Sequence, residues 1–257
     1  MNKLLGAGDI IEGSWLLYKT NRKPLMRVAL WMFAPTVVVT SVNLLLRLLS
    51  VGEIAAIITS LLVSIPSYLI RFWAAIILVL ALDAAIQKQE FDVKKLGEDA
   101  ARKFLPVLIV SILAGLAMLG GFLLFVIPGI IFSIWFAFAY YEAILHGAKG
   151  ADALKKSRRL SRGRFWAALW RLAAPAAFWS VVVWLATSAI FQLFSAATIP
   201  WKEIISTGPG SAYLSAILDA ISNLIQSLSA PLLTAVGVLL YRALKESGTE
   251  TTATAAQ

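Results

Sequence analysis

Cysteine is absent from the chain and histidine occurs once, at His146. The first absence excludes disulfides, thiolate metal sites and cysteine nucleophiles. The second leaves no partner from which to build an imidazole metal site. Charge is scarce as well: 14% of residues are Asp, Glu, Lys or Arg, and 14 acids stand against 23 Lys and Arg. There is no G-x-S-x-G, no H-E-x-x-H and no pair of acids at helical spacing inside an apolar run. An intramembrane enzyme needs a nucleophile–base pair or a metal cluster, so the expectation is a protein without catalysis, cofactor or metal.

What the chain has in excess is apolar surface. Hydrophobic residues make up 60% of 257 positions and the mean hydropathy is +0.81, more than a soluble core of this size can hide. Spanning helices need roughly 20 mostly apolar residues, and six runs qualify: Val28 to Leu46, Ser67 to Ile86, Leu105 to Val126, Pro128 to Leu145, Phe165 to Leu193, and Ile221 to Tyr241. The fold class expected is all-α, a polytopic membrane helix bundle. Residues 1–245 form a single transmembrane domain, and the small, polar stretch 246–257 reads as a disordered tail.

Lys and Arg are retained on the cytoplasmic side of a membrane. They cluster before the first span (Lys3, Lys19, Arg22, Lys23, Arg27), in the second loop (Lys88, Lys94, Lys95, Arg102, Lys103), from Lys149 to Arg171, and at Arg242 and Lys245. Only Arg47 and Lys202 fall on the other side, and Arg71 lies within a span. Both termini are therefore expected in the cytoplasm of a cell with this protein in its cytoplasmic membrane. No apolar run precedes the first acids, so a cleavable signal peptide is not expected.

Three stretches share a plan, about 8–86, 91–145 and 150–242: an Asp, a basic amphipathic helix, then a pair of spans. Asp9, Asp92 and Asp152 are placed to cap helix starts, and Asp9 with Glu12 has the spacing of a capping box. Aligning Asp9 with Asp152 superposes Ser14 on Ser157, with Gly97 at the serine position of the middle stretch. In the third stretch Ala153, Leu154, Ser157, Leu160 and Ser161 share one helical face, and Lys155, Lys156, Arg158, Arg159 and Arg162 the other. Such a helix lies in the interface. With Arg164 beside it, it presents a surface for anionic lipid headgroups, although ordinary orientation of loop charge accounts for most of the pattern. No nucleic-acid-binding fold accompanies the basic residues.

The run from Phe125 to Trp166 resembles a group of bacterial and archaeal six-helix membrane proteins, which includes the membrane domain attached to some glycerophosphodiester phosphodiesterases. The resemblance is carried by Ile127-Pro128-Gly129, by Tyr140-Tyr141-Glu142 at a span end, and by Ala153-Leu154-Lys155-Lys156-Ser157 leading to Gly163-Arg164-Phe165-Trp166. Members typically have an acid and a longer linker where this chain has residues 146–150. The resemblance implies a fold and no catalytic residue, because the phosphodiesterase is a separate soluble domain.

Polar side chains inside spans are costly and mark function or packing. Ser60, Ser64, Ser67 and Arg71 recur at spacings of 4, 3 and 4; Ser215, Asp219, Ser222, Gln226 and Ser229 recur at 4, 3, 4 and 3, with Asn223 beside them. Three readings fit these stripes: hydrogen-bonding glue between helices, a polar cavity for a solute or lipid headgroup, or an ion pathway through Asp219. Asp83 and Glu142 read as solvated helix ends that loop lysines can pair, and His146 as an interfacial histidine. On function, the sequence points first to a membrane-organising or scaffold protein touching anionic lipid through its basic helices, and second to a small-solute or lipid transporter using the polar stripes.

Overall fold

Apolar runs of this length in a chain without strand-forming alternation fold as helices, because every backbone N–H and C=O must be satisfied within the segment. The computed structural model describes residues 6–163, 165–196 and 209–254. Among the described residues there is no strand. The helices are α1 (Ala7–Thr20), α2 (Arg22–Leu48), α3 (Glu53–Ile86), α4 (Val93–Leu124), α5 (Val126–Phe136), α6 (Ala139–His146), α7 (Gly150–Ser161), α8 (Phe165–Ala196) and α9 (Pro209–Thr254). Six stretches are long and apolar enough to cross a membrane: α2, α3, α4, the α5–α6 pair, Phe165–Leu193 of α8 and Ala212–Ser247 of α9. Pro66, Pro175 and Pro231 lie inside continuous helices, and α9 runs on through residues 246–254, where the sequence suggests a disordered tail.

Helix starts agree with the sequence in one place and differ in two. Asp92 is the cap of α4, its carboxylate accepting from the Lys94 N–H at 3.0 Å. Asp9 instead sits in the first turn of α1 and reaches back to the N–H of Gly6 at 2.8 Å, so the capping partner of Asp9 is Gly6 and not Glu12. Asp152 likewise lies in the first turn of α7, whose cap is Lys149. From there it faces the positive end of the helix dipole and pairs with Lys156 at 2.9 Å. The middle basic segment is not a separate helix: it runs unbroken into the third span as α4. Between α7 and α8 the chain is broken at Gly163, whose φ of +76° favours a residue without Cβ.

The chain forms two compact units. The first contains α1, α3 from Ile76, α4 to α7, α8 up to Phe178 and α9 from Leu232. Its core includes Ile10, Ile76, Leu78, Leu82, Phe138, Ile144 and Tyr241. Ser14, Gly97 and Ser157, which the sequence alignment superposes, are all buried. The α4–α5 hairpin closes on glycine: a Cβ on Gly121 would stand 3.0 Å from the Cα of Gly129, and one on Gly129 would collide with the Phe122 ring. The second unit contains α2 from Lys23, α3 up to Ala75, α8 from Trp179 and α9 up to Pro231. Large apolar side chains such as Ile57, Leu62, Trp184 and Leu185 stand exposed there, as lipid-facing residues do.

The fourth span is interrupted. Helix α5 ends at Phe136 and α6 begins at Ala139. In an unbroken helix the Phe138 N–H would bond the Ile134 carbonyl. Here the Ser157 hydroxyl accepts from Phe138 N–H at 3.1 Å and donates to the Trp135 carbonyl at 2.6 Å, while Ser161 donates to the Ile134 carbonyl at 3.1 Å. Two serines one turn apart on α7 thus take over the ladder at the break. Ser157→Ala leaves the buried Phe138 N–H without a partner, and thermal or denaturant unfolding in detergent should show a loss of about 1–3 kcal/mol. Ser133→Ala, whose hydroxyl bonds only within its own helix to Gly129, should change stability little.

Candidate functional site

In the second unit, four residues singled out by their spacing line one cleft of about 200 Å³: Ser64, Ser67, Arg71 and Asp219. Thr36, Thr40 and Tyr68 complete it with hydroxyls, and Asn223 stands one turn from Asp219. The α2 residues form a stripe that the sequence reading missed: Thr36, Thr40, Asn43 and Arg47 recur at spacings of 4, 3 and 4, as the polar residues of α3 do. An adjoining recess of about 70 Å³ shares Thr40 and Asp219 and is bordered by Asn43, Arg47 and Ser215. The remaining stripe residues point elsewhere. Ser60 donates to Asn43 at 2.8 Å and Ser222 to the Leu218 carbonyl at 2.8 Å. Gln226 is exposed, and buried Ser229 bonds the Gln226 carbonyl at 2.9 Å.

The charges in this cleft are held apart. The Arg71 guanidinium donates to the Thr36 hydroxyl at 3.3 Å. Among the described residues the ion pairs within 4.0 Å include neither Arg71 nor Asp219. Arg47 reaches only the Ser215 hydroxyl, at 3.4 Å. Serines 67 and 215 donate to carbonyls of their own helix, Val63 at 2.8 Å and Ala212 at 3.0 Å, so their oxygens retain accepting capacity toward the cleft.

In the first unit the structure assembles charges that sequence reading treats as separate. Arg242 grips Asp83 through Nε and Nη2, both at 2.6 Å. Glu142 is buried, with 4% of its surface accessible, so it is not a solvated helix end. Its carboxylate accepts from the Tyr241 hydroxyl at 2.8 Å and faces the Lys245 ammonium at 3.5 Å. His146 Nδ1 lies 2.8 Å from the same tyrosine oxygen. With the tyrosine proton given to the carboxylate, Nδ1 is the donor in that contact. Asp83 and Glu142 therefore find their partners on α9 rather than on loop lysines. The signal was available in the i,i+4 pairs Glu142/His146 and Tyr241/Lys245, which put all four groups on facing helical surfaces. A cavity of about 300 Å³ opens beside the network, bordered by Gln87, His146 and Lys245. Lys103 adds a further tie, donating to the Ile144 carbonyl at 2.7 Å near the end of α6.

The third candidate is the basic face of α7. Ala153, Ser157 and Ser161 are buried, and Lys155, Lys156, Arg158, Arg159 and Arg162 are exposed. Arg158 lies over the Trp135 ring, 4.1 Å from its centroid. The hydrogen bond and charge of Asp152 hold the Lys156 ammonium above the usual lysine range. Arg164 lies outside the described residues.

Tyr241→Phe deletes the hydroxyl that serves the buried Glu142, and the unfolding free energy should fall by about 1–3 kcal/mol. Tyr213→Phe, at an exposed site, should leave the thermal midpoint where it was. Comparison of the chain with protein-family models, with curated proteins and with solved structures gave no match.

Proposed function

We propose that this is a non-enzymatic protein of the cytoplasmic membrane that organises anionic lipid around its basic surface helix, with both termini and α7 on the cytoplasmic side. The observation that carries this reading is the sorting of residues on α7. Its small face is fixed by Ser157 and Ser161 to the broken fourth span, and five cations are left facing outward. Lys155, Arg159 and Arg162 have no ion pair among the described residues. Each cation near an anionic leaflet contributes about 1 kcal/mol. Because the helix is already ordered by its serines, little conformational entropy is lost on contact.

Lysine and arginine stay protonated across roughly pH 6 to 9, so the interaction should respond to salt and not to pH in that range. In reconstituted bilayers, spin-labelled phosphatidylglycerol should associate with the wild-type chain more strongly than spin-labelled phosphatidylcholine. Replacing Lys155, Lys156, Arg159 and Arg162 together by Gln should remove that preference, as should about 0.5 M salt. An unchanged preference in the variant would contradict the proposal.

The cleft of the second unit favours a second reading, passage of a small solute or lipid. The paired change Arg71→Leu with Asp219→Leu separates the two: an organising protein keeps its lipid preference, and a transporter inserts normally but loses flux.

A further inference from the structure

The cleft of the second unit holds a cation and an anion that do not neutralise each other. Arg71 is half-buried, bonded only to the Thr36 hydroxyl, and Asp219 borders the same space at its exposed mouth, without an ion pair among the described residues. Neighbouring charges of opposite sign gain by pairing, and an unpaired charge withdrawn from water as Arg71 is, half-buried, is costly. Their separation across a polar cavity suits a ligand that carries both complements. A simple anion would meet Arg71 favourably and Asp219 unfavourably, and a simple cation the reverse. Arg47 flanks Asp219 on its other side in the adjoining recess and adds a second positive wall.

We infer that this cleft binds a small zwitterion, with its oxyanion on Arg71 and its primary ammonium on Asp219. Arg71 offers a planar fork of donors suited to phosphate or carboxylate oxygens. The hydroxyls of Thr36 and Thr40 stand beside it to donate further hydrogen bonds. Asp219 and the side-chain oxygen of Asn223 accept from an N–H₃⁺ group. A volume of about 200 Å³ accommodates a group the size of phosphoethanolamine. That chemistry reaches a membrane site either as a free solute or as the headgroup of an aminophospholipid. Such binding is independent of the surface helix α7.

The test uses the full chain in nanodiscs of phosphatidylglycerol, titrated calorimetrically with phosphoethanolamine and with ethyl phosphate. A parallel arm measures phosphatidylethanolamine retention by native mass spectrometry in mixed nanodiscs. Binding of free phosphoethanolamine assigns a solute; retention of phosphatidylethanolamine without it assigns a headgroup. In either arm Asp219→Asn should weaken the zwitterion at least tenfold and leave ethyl phosphate unaffected or tighter, whereas Arg71→Gln should weaken both. Arg71→Lys, which keeps the charge, should restore part of the affinity and guards against misfolding of the glutamine variant. Absence of binding in both arms, or equal affinity of wild type and Asp219→Asn for phosphoethanolamine, would overturn the inference.

Discussion

A gap in the hydrogen-bond ladder of a helix must be closed from within the protein where it is buried, as it is at Ile134 and Phe138, because a buried N–H or C=O without a partner is costly. In this chain the gap falls between α5 and α6, and the serines of α7 close it. Much of the first unit follows from that contact. Helix α7 must lie flat against the break, so its small face is inward and its cations are outward. The break also sets α6 as a separate short helix whose Glu142 and His146 meet Tyr241 on α9. A structural repair and a basic surface are two faces of one twelve-residue helix.

The two units use charge in opposite ways. In the first, acids and bases are paired at short range, Asp83 with Arg242 and Glu142 with Tyr241 and Lys245, so burial is offset by hydrogen bonds. Such a network holds helices together, and removing one member leaves another buried and unpaired. In the second, Arg71 and Asp219 are left apart around a hydroxyl-lined space. The difference is between charges used up in packing and charges left available to the zwitterion proposed for this cleft.

Much of the architecture was legible in the sequence because hydrophobic runs of spanning length leave few alternatives. The helical class and six spanning stretches are read directly from them; of the three Asp residues placed at helix starts, Asp92 is a cap, and Asp9 and Asp152 lie inside the first turn. The polar spacing of α3 and α9 pointed to Ser64, Ser67, Arg71 and Asp219, which do share a cleft. What escaped reading depends on tertiary contact. Nothing local shows that Ser157 enters another helix's ladder, since an interfacial serine on a basic helix has ordinary solvated roles. The stripe of Thr36, Thr40, Asn43 and Arg47 on α2 was there to be read at spacings of 4, 3 and 4, but only tertiary contact shows that it borders the same cleft as the stripes of α3 and α9. Glu142 looked solvated because its position at a span end is compatible with water; only the approach of Tyr241 buries it.

Depth of α7 in the bilayer is the most direct test of the proposed lipid-organising role. The absence of native cysteine allows single nitroxides to be placed at positions 155 and 159 without further engineering. Power saturation with aqueous and lipid-soluble relaxants in phosphatidylglycerol bilayers should place both labels in the headgroup layer, and they should move outward in phosphatidylcholine. Labels as accessible to the aqueous relaxant as a free spin label in both bilayers would contradict a helix held on anionic lipid.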